Sequence, residues 1–315
     1  VSVSDALEAF EGKLERVFAT KAADAVLDNE VTLFETDKTF KCSANVLKGA
    51  KPKVIIPVMP GTNCEIDTAR AFERAGAEAD IFVIRNKSQD EITESLKTLA
   101  SKINESNIVM LPGGFSAGDE PEGSGKFFAA AFRSSYVTDA VRDLLFNRDG
   151  LMLGICNGFQ SLIKLGLVPY GDIKELKADD PTLTFNNIGR HQNSYVSTKI
   201  MSNNSPWLTQ VKVGEVYEIP ISHGEGRFVA SDELVKKLIA NGQVATCYVD
   251  PDGSAAGTTA FNPNGSVSAI EGILSPDGRI FGKMGHSERF DPDLCKNIPG
   301  EKDQKIFESG VSYFL

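Results

Sequence analysis

Leu151-Met152-Leu153-Gly154-Ile155-Cys156-Asn157-Gly158-Phe159-Gln160 decides how this chain is read. An unbroken apolar run meets a thiol held between two glycines, and helical residues follow. That order predicts a nucleophile elbow, in which a buried strand feeds a sharp, strained turn and then a helix. The glycines are required because a Cβ at either position would strike the neighbouring strand or helix. The helix start behind Cys156 favours a thiolate and offers backbone N–H groups to an oxyanion. A plain buried cysteine at a strand end is the competing reading; the paired glycines and the strand-to-helix switch decide for a nucleophile.

The pattern upstream agrees. Lys53–Met59 is an apolar run of strand length, and Glu65–Ala75 is helical, with Ile66, Ala69, Phe72 and Ala75 spaced by three before Gly76 stops it. A strand over Asp80–Ile84, a helix over Glu91–Ile103 and a strand over Asn107–Leu111 follow. Helices over Phe127–Phe132 and Val137–Phe146 then lead into Leu151–Ile155. Continuous apolar strands alternating with helices predict a parallel α/β sheet covered on both faces. Beyond about residue 180 the pattern turns to strands, at Tyr195–Ile200, Val216–Ile221, Val244–Val249, Val267–Ile273 and Arg279–Met284, interrupted by one helix over Asp232–Ile239.

The first 50 residues read differently. Asp5 to Phe18 makes one amphipathic helix through Leu7, Phe10, Leu14 and Phe18, and Leu27–Leu47 is short of apolar residues. Such a segment cannot bury a core of its own. Residues 1–50 are therefore expected to be a linker or the tail of a preceding domain, and 51–315 the folded unit. The chain opens on Val1 rather than Met, as a processed protein or a piece of a longer polypeptide would.

The 315 residues carry a formal charge of −10, with no basic cluster, which speaks against nucleic acid and anionic membrane surfaces as partners. No apolar stretch approaches the roughly 20 residues of a spanning helix. Five widely spaced cysteines without a C-x-x-C pair suit a reducing cytoplasm. No histidine stands at zinc-ligand spacing with a cysteine, so no metal site is expected.

A cysteine nucleophile needs a base, and the base an orienting group. His286, in Met284-Gly285-His286-Ser287-Glu288-Arg289, follows a predicted strand, and Glu288 two residues on reaches its Nδ1 around the turn. His223, in Ser222-His223-Gly224-Glu225-Gly226-Arg227, is a base, a substrate contact or a structural histidine, and His191 reads as a loop residue. Pro112-Gly113-Gly114-Phe115 supplies the second half of an oxyanion hole, since two glycines let the backbone aim an N–H at developing charge. Cys42, Cys64, Cys247 and Cys295 lack elbow glycines and read as structural. Three glycine-rich loops after strands, ending in Cys64, Ser116 and the elbow, are expected to face one pocket. Gly123-Ser124-Gly125-Lys126 fails the phosphate-loop pattern, with Glu120 for a glycine and Phe127 for Ser or Thr, so ATP is excluded there.

Taken together, Gly113-Gly114-Phe115-Ser116, Gly118-Asp119, Cys156-Asn157-Gly158, Ser222-His223-Gly224-Glu225-Gly226-Arg227, Asn262-Pro263-Asn264-Gly265-Ser266 and His286-x-Glu288 resemble the class I (triad) glutamine amidotransferases. More narrowly they resemble the glutaminase domains of phosphoribosylformylglycinamidine synthases, over about residues 51–315. The resemblance implies a flavodoxin-like three-layer sandwich with a mostly parallel central sheet. It implies Cys156 as nucleophile, His286 as base and Glu288 as its orienter, with Gly114 and Asn157 N–H groups as oxyanion hole. Phe115, Ser116, Gln160 and His223 are implied as contacts to L-glutamine. The chemistry implied is hydrolysis of glutamine through a Cys156 thioester, the ammonia passing to formylglycinamide ribonucleotide in de novo purine biosynthesis. This chain itself needs no cofactor. ATP and Mg²⁺ are expected in an absent synthase portion of the same polypeptide, of which this chain is then the C-terminal part.

The chain departs from the family pattern at Ala117, where an aromatic is frequent, and at Gly285 and Ser287, where prolines flank the histidine; both bear on turn rigidity rather than on reacting atoms. Two other readings share the fold. A cysteine hydrolase or chaperone-like stress protein would carry a histidine directly after the elbow cysteine, where Asn157 stands. A non-catalytic regulatory domain would have lost one of Cys156, His286 and Glu288, and all three are present.

Overall fold

The computed structural model describes residues 2–43, 50–115 and 125–315. Helix α1 (Val3–Glu11) leads through an extended segment to β1 (Lys53–Val58), α2 (Glu65–Arg74), β2 (Glu78–Val83), α3 (Gln89–Asn104) and β3 (Ile108–Leu111). Next come α4 (Lys126–Phe132), α5 (Ser135–Arg142), β4 (Leu151–Ile155), α6 (Asn157–Leu165) and a short α7 (Leu167–Tyr170). The second half holds β5 (Thr182–Phe185), β6 (Gln192–Ile200), β7 (Val216–His223), β8 (Glu225–Val229), α8 (Asp232–Ala240), β9 (Val244–Tyr248), β10 (Ile270–Leu274), β11 (Ile280–Lys283) and α9 (Ile306–Ser312).

Nine of these strands form one sheet in the order β2-β1-β3-β4-β11-β10-β9-β6-β7. The first five are mutually parallel and the remaining pairings are antiparallel. The sheet is thus an α/β sheet with the parallel core expected from the sequence, extended by an antiparallel half. Strands β3, β4, β10 and β11 are buried at every residue, on both alternating faces, so layers cover the sheet on either side. Helix pairs α2–α9, α3–α5 and α4–α6 supply much of that cover. Phe72 of α2 meets Phe307 of α9 edge-on, ring centroids 4.9 Å apart, and Trp207 at 6.4 Å.

Some elements differ from expectation. The two-stranded β5–β8 sheet and α9 were not foreseen, and Val267–Ala269 is a 3-10 turn before β10 rather than strand. Helix α1 ends at Glu11, with a 3-10 turn at Gly12–Leu14 short of Phe18, and it buries no residue. The segment after it crosses the folded unit: Ala25 N–H bonds Gly257 O (2.8 Å), Phe34 bridges Ser202, and Cys42 N–H bonds Tyr313 O (3.0 Å). Among the described residues no helix is long and apolar enough to cross a membrane.

The topology places the site. β2 and β3 lie on opposite sides of β1, so the chain reverses its direction of travel there, and the crevice at the strands' carboxyl ends opens beside that point. β1, β3, β4 and β11 are consecutive and parallel, so their C-terminal loops emerge along one edge. Those loops carry Cys64, Gly113–Phe115, Cys156 and His286.

Candidate active site

Cys156 leaves β4 with φ 54° and ψ −108°, a conformation side-chain-bearing residues rarely adopt. The flanking glycines show why the turn must be this tight. A Cβ on Gly158 would lie 1.9 Å from Leu111 O, and one on Gly154 would lie 2.7 Å from Gly158 backbone. The elbow is held by Cys156 N–H to Lys283 O (2.9 Å), and the thiol donates to Ser222 O at 3.7 Å. Helix α6 begins at the next residue, so its N-terminus lies directly behind the sulfur.

His286 and Glu288 are both buried, with Nδ1 2.6 Å from Glu288 Oε1. Nε2 makes no hydrogen bond to the described residues and is the ring nitrogen left for the Cys156 proton. Burial opposes charge on the ring, but the Glu288 carboxylate and then the Cys156 sulfur outweigh it and hold the His286 pKa well above the ordinary histidine range. Burial likewise pushes Glu288 up, and His286 outweighs that, so its pKa lies below the usual carboxylate value. The pair therefore favours imidazolium beside carboxylate.

The glycine loops converge as expected. A Cβ on Gly113 would lie 2.9 Å from His286 Cε1, 3.1 Å from Cys64 Sγ and 3.4 Å from Cys156 Cβ. Gly114 has φ 134°, and a Cβ there would meet Gly61 O at 2.7 Å. Its loop is tied to the β1 loop by Asn63 N–H to Gly113 O (3.3 Å) and Phe115 N–H to Gly61 O (2.8 Å), bonds that leave Gly114 N–H outside the ladder. Phe115 is partly exposed and its ring lies 6.2 Å from that of His191. His191 is therefore more than a loop residue: its Nε2 is 3.0 Å from Ser222 Oγ, on the residue whose carbonyl receives the Cys156 thiol. Ser116 and Gly118-Asp119 lie outside the described residues.

Asn157 Nδ2 donates to Gln160 Oε1 (3.1 Å), and Gln160 Nε2 donates to Glu225 O (2.6 Å). Both side chains are buried. The Gln160 amide is thus engaged in fastening α6 to β8, a departure from the substrate contact expected of it. His223 is buried with Nδ1 3.1 Å from Asn186 Oδ1, and its Nε2 has no partner among the described residues. Burial, and then the charges of His286 and His191, pull its pKa down to about 3. It stays neutral at physiological pH, which fits a contact better than a base.

That shift has a consequence for stability. Below about pH 6.5 the unfolded chain protonates this histidine and the folded chain does not, so stability falls from there toward pH 3. His223→Gln removes that one source of acid sensitivity. The urea midpoints of wild type and variant should converge, or cross in favour of the variant, between pH 7 and pH 4.5. Parallel pH profiles would show that the native ring protonates as easily as the unfolded one.

Cys64 corrects the sequence reading. Its loop faces the common pocket as expected, but the thiol read as structural lies against the base: Sγ is 3.8 Å from His286 Nδ1, accepts from Arg289 Nη2 at 3.4 Å and donates to Asn63 Oδ1 at 3.2 Å. The available signal was Asn63-Cys64 closing a glycine loop after a strand, the same context as the other two loops. Ligand atoms of Cys64, His286 and Glu288 lie within 4.8 Å of one another, a donor set that zinc also takes. The imidazole and carboxylate are already bonded to each other, however, which is the arrangement of a base and its orienter.

Residues 51–314 match the model of the CobB/CobQ-like glutamine amidotransferase domain. A phosphoribosylformylglycinamidine synthase subunit PurQ from Methanococcus maripaludis is 38% identical over 283 residues, covering 84% of this chain and 97% of that protein. The subunit of the same name from Treponema denticola is 34% identical over 284 residues, covering 84% of this chain and 100% of that protein. Among solved structures, PurLQS from Thermotoga maritima aligns with a TM-score of 0.58 at 30% identity, over 84% of this chain and 99% of that one.

Proposed function

This chain belongs to the CobB/CobQ-like glutamine amidotransferase family, and we propose that it releases ammonia from L-glutamine through a thioester on Cys156. The observation that carries the reading is the strained Cys156 elbow set beside a buried His286–Glu288 pair bonded at 2.6 Å. Its relatives make it a glutamine amidotransferase of phosphoribosylformylglycinamidine synthase, and so of purine biosynthesis.

The steps follow from the placement of groups. His286 takes the thiol proton through Nε2, and the thiolate sulfur attacks the side-chain amide carbon of glutamine. Negative charge gathers on the amide oxygen, where Gly114 and Asn157 N–H groups receive it; one such donor is typically worth about 3 kcal/mol. The imidazolium, stabilised by Glu288, gives its proton to the departing nitrogen, and ammonia leaves the glutamyl thioester. Water then attacks the thioester with His286 as base, releasing glutamate and restoring the thiol. Phe115, Ser116 and His223 form the glutamine contacts in this reading, and Gln160 steadies the start of α6.

The ammonia goes to a synthase unit that activates formylglycinamide ribonucleotide with ATP and Mg²⁺. The similar proteins are named as subunits, which favours a synthase carried on a separate chain over one in the same polypeptide. The intact mass of the native protein separates the two arrangements. A polypeptide well above the mass of these 315 residues would restore the single-chain one.

The reading is tested with a glutamine-derived diazo-ketone, mapping the adduct by mass spectrometry. Labelling confined to Cys156 and blocked by excess glutamine is the expected outcome. Adducts spread over Cys42, Cys64 and Cys295 would refute a glutamine pocket at the elbow. Turnover separates the two buried histidines: His223→Ala should raise KM for glutamine and keep much of kcat, whereas His286→Ala should abolish turnover. Equal and complete loss in both would contradict this division.

A further inference from the structure

The turn that carries His286 and Glu288 is gripped from below by two buried opposite charges. Lys283, the last residue of β11, has no solvent exposure, and all three of its ammonium donors have an acceptor in reach. Nζ donates to Gly285 O at 2.8 Å and to Ser287 Oγ at 3.0 Å, and stands 3.4 Å from Glu271 Oε1. Those first two acceptors lie immediately before and after His286. Glu271, equally buried on β10, closes the ring by accepting Gly285 N–H on Oε1 at 2.6 Å, while Thr246 Oγ1 donates to Oε2. Ser287 Oγ passes the constraint on to Gln304 Oε1 (2.6 Å), whose amide donates to Thr198 Oγ1 (3.0 Å).

The grip requires the residue types present. A Cβ at Gly285 would lie 2.6 Å from Ile219 Cγ2 and 3.1 Å from both Glu271 Oε1 and Lys283 Nζ, so only glycine lets the charges close on this backbone. A buried ion pair is expensive to assemble, and replacing it with apolar groups is often neutral or stabilising, so fold stability alone does not explain it. What it does supply is geometry: hydrogen bonds to the residues on either side of the base.

We propose that Lys283 and Glu271 are positioning residues, a buried charge clamp that holds the His286 turn so that Nδ1 meets Glu288 and Nε2 faces Cys156. The inference rests on the glutaminase reading for its kinetic consequence but not for its geometric one. With both side chains wholly buried, water does not compete for the clamp's bonds. Burial pulls the Lys283 pKa down, and the Glu271 and Glu288 carboxylates oppose that by favouring the ammonium.

Two measurements on the full chain test it, with E271Q/K283M, which removes both charges together, and with Ser287→Ala, which removes one anchor. The first is the ¹⁵N titration of the His286 imidazole. Glu288, Cys156 and Cys64 face the ring, with His223 beyond and Arg289 beside Glu288, and none is altered. The double variant removes Lys283 and Glu271, two opposite charges 3.4 Å apart, so local net charge is kept, and Ser287→Ala removes no charge. The midpoint should fall toward that of an ordinary histidine in the double variant and partway in Ser287→Ala. The second is the rate of Cys156 alkylation by the diazo-ketone, read well below the melting temperature. It should fall about 10²-fold in the double variant and less in Ser287→Ala. Folded variants with wild-type midpoint and alkylation rate would overturn the proposal and leave the pair a packing feature. Should E271Q/K283M fail to fold, Ser287→Ala decides by the same two readings. A wild-type chain that is never alkylated at Cys156 would defeat the glutaminase reading instead, while the imidazole titration still decides the clamp.

Discussion

Cys156→Ala should lower glutamine hydrolysis by at least about 10⁴-fold, and His286→Ala should lower it to the same floor. The two losses should coincide because the residues act as one unit. Without the sulfur there is nothing for the imidazole to deprotonate, and without the imidazole neither the thiol proton nor the leaving ammonia has a partner. The double variant is accordingly no worse than either single one. Glu288→Gln keeps the shape of the orienter but removes its charge. The high His286 pKa is sustained by that carboxylate against burial, so this variant should lose about 10²–10⁴-fold. Glutamate release by each purified chain with its synthase partner supplied is the measurement. Retention of more than a few per cent of wild-type turnover by Cys156→Ala would rule out the covalent route.

Gly158→Ala should be among the most damaging added methyls at the described glycines. The added carbon would sit 1.9 Å from Leu111 O and 2.6 Å from Leu111 C, backbone atoms of β3 that cannot swing aside. Relief requires moving α6 away from the sheet, which separates Cys156 from its helix and opens the packing of Phe159 and Leu162. A cost of about 4 kcal/mol or more is expected, at the extreme of single substitutions. Gly12→Ala is the control: its backbone is ordinary and nothing lies within 4 Å of the new carbon, so its effect should stay within about 0.5 kcal/mol. Urea unfolding of both variants compares them directly. A Gly158→Ala chain with the wild-type midpoint would mean that α6 is not seated against β3 as described.

How far the sequence could be read follows the range of the forces involved. β4 falls on Leu151–Ile155 as read, because a run buried on both faces needs no partner to be recognised. Helices α2 and α8 fall within a residue of their predicted ends, where glycine or polar caps mark the boundary locally. β5 and β8 escaped because each stabilises the other: Thr182–Phe185 pairs with residues 40 or more positions away, its four-residue alternation is too short to mark a strand by itself, and Glu225–Val229 does not alternate. Helix α9 escaped for a related reason, its apolar face being defined by Phe72 and Trp207 rather than by its own seven residues.

The same division runs through the site. Cys156, Gly154, Gly158 and His286-x-Glu288 were legible because strain, steric crowding and a two-residue reach around a turn are properties of neighbours in the chain. Those local requirements were enough to predict a parallel α/β sheet and the elbow, and to mark Cys156 and His286 as candidate nucleophile and base. Only the tertiary structure decided that Cys64 lies against His286, that Gln160 fastens α6 to β8, and that His223 is held neutral. It alone joined Lys283 to Glu271 across two antiparallel strands beneath the His286 turn. Burial and charge pairing set these roles, and both depend on which distant segments the sheet order makes adjacent, which no short stretch of sequence contains.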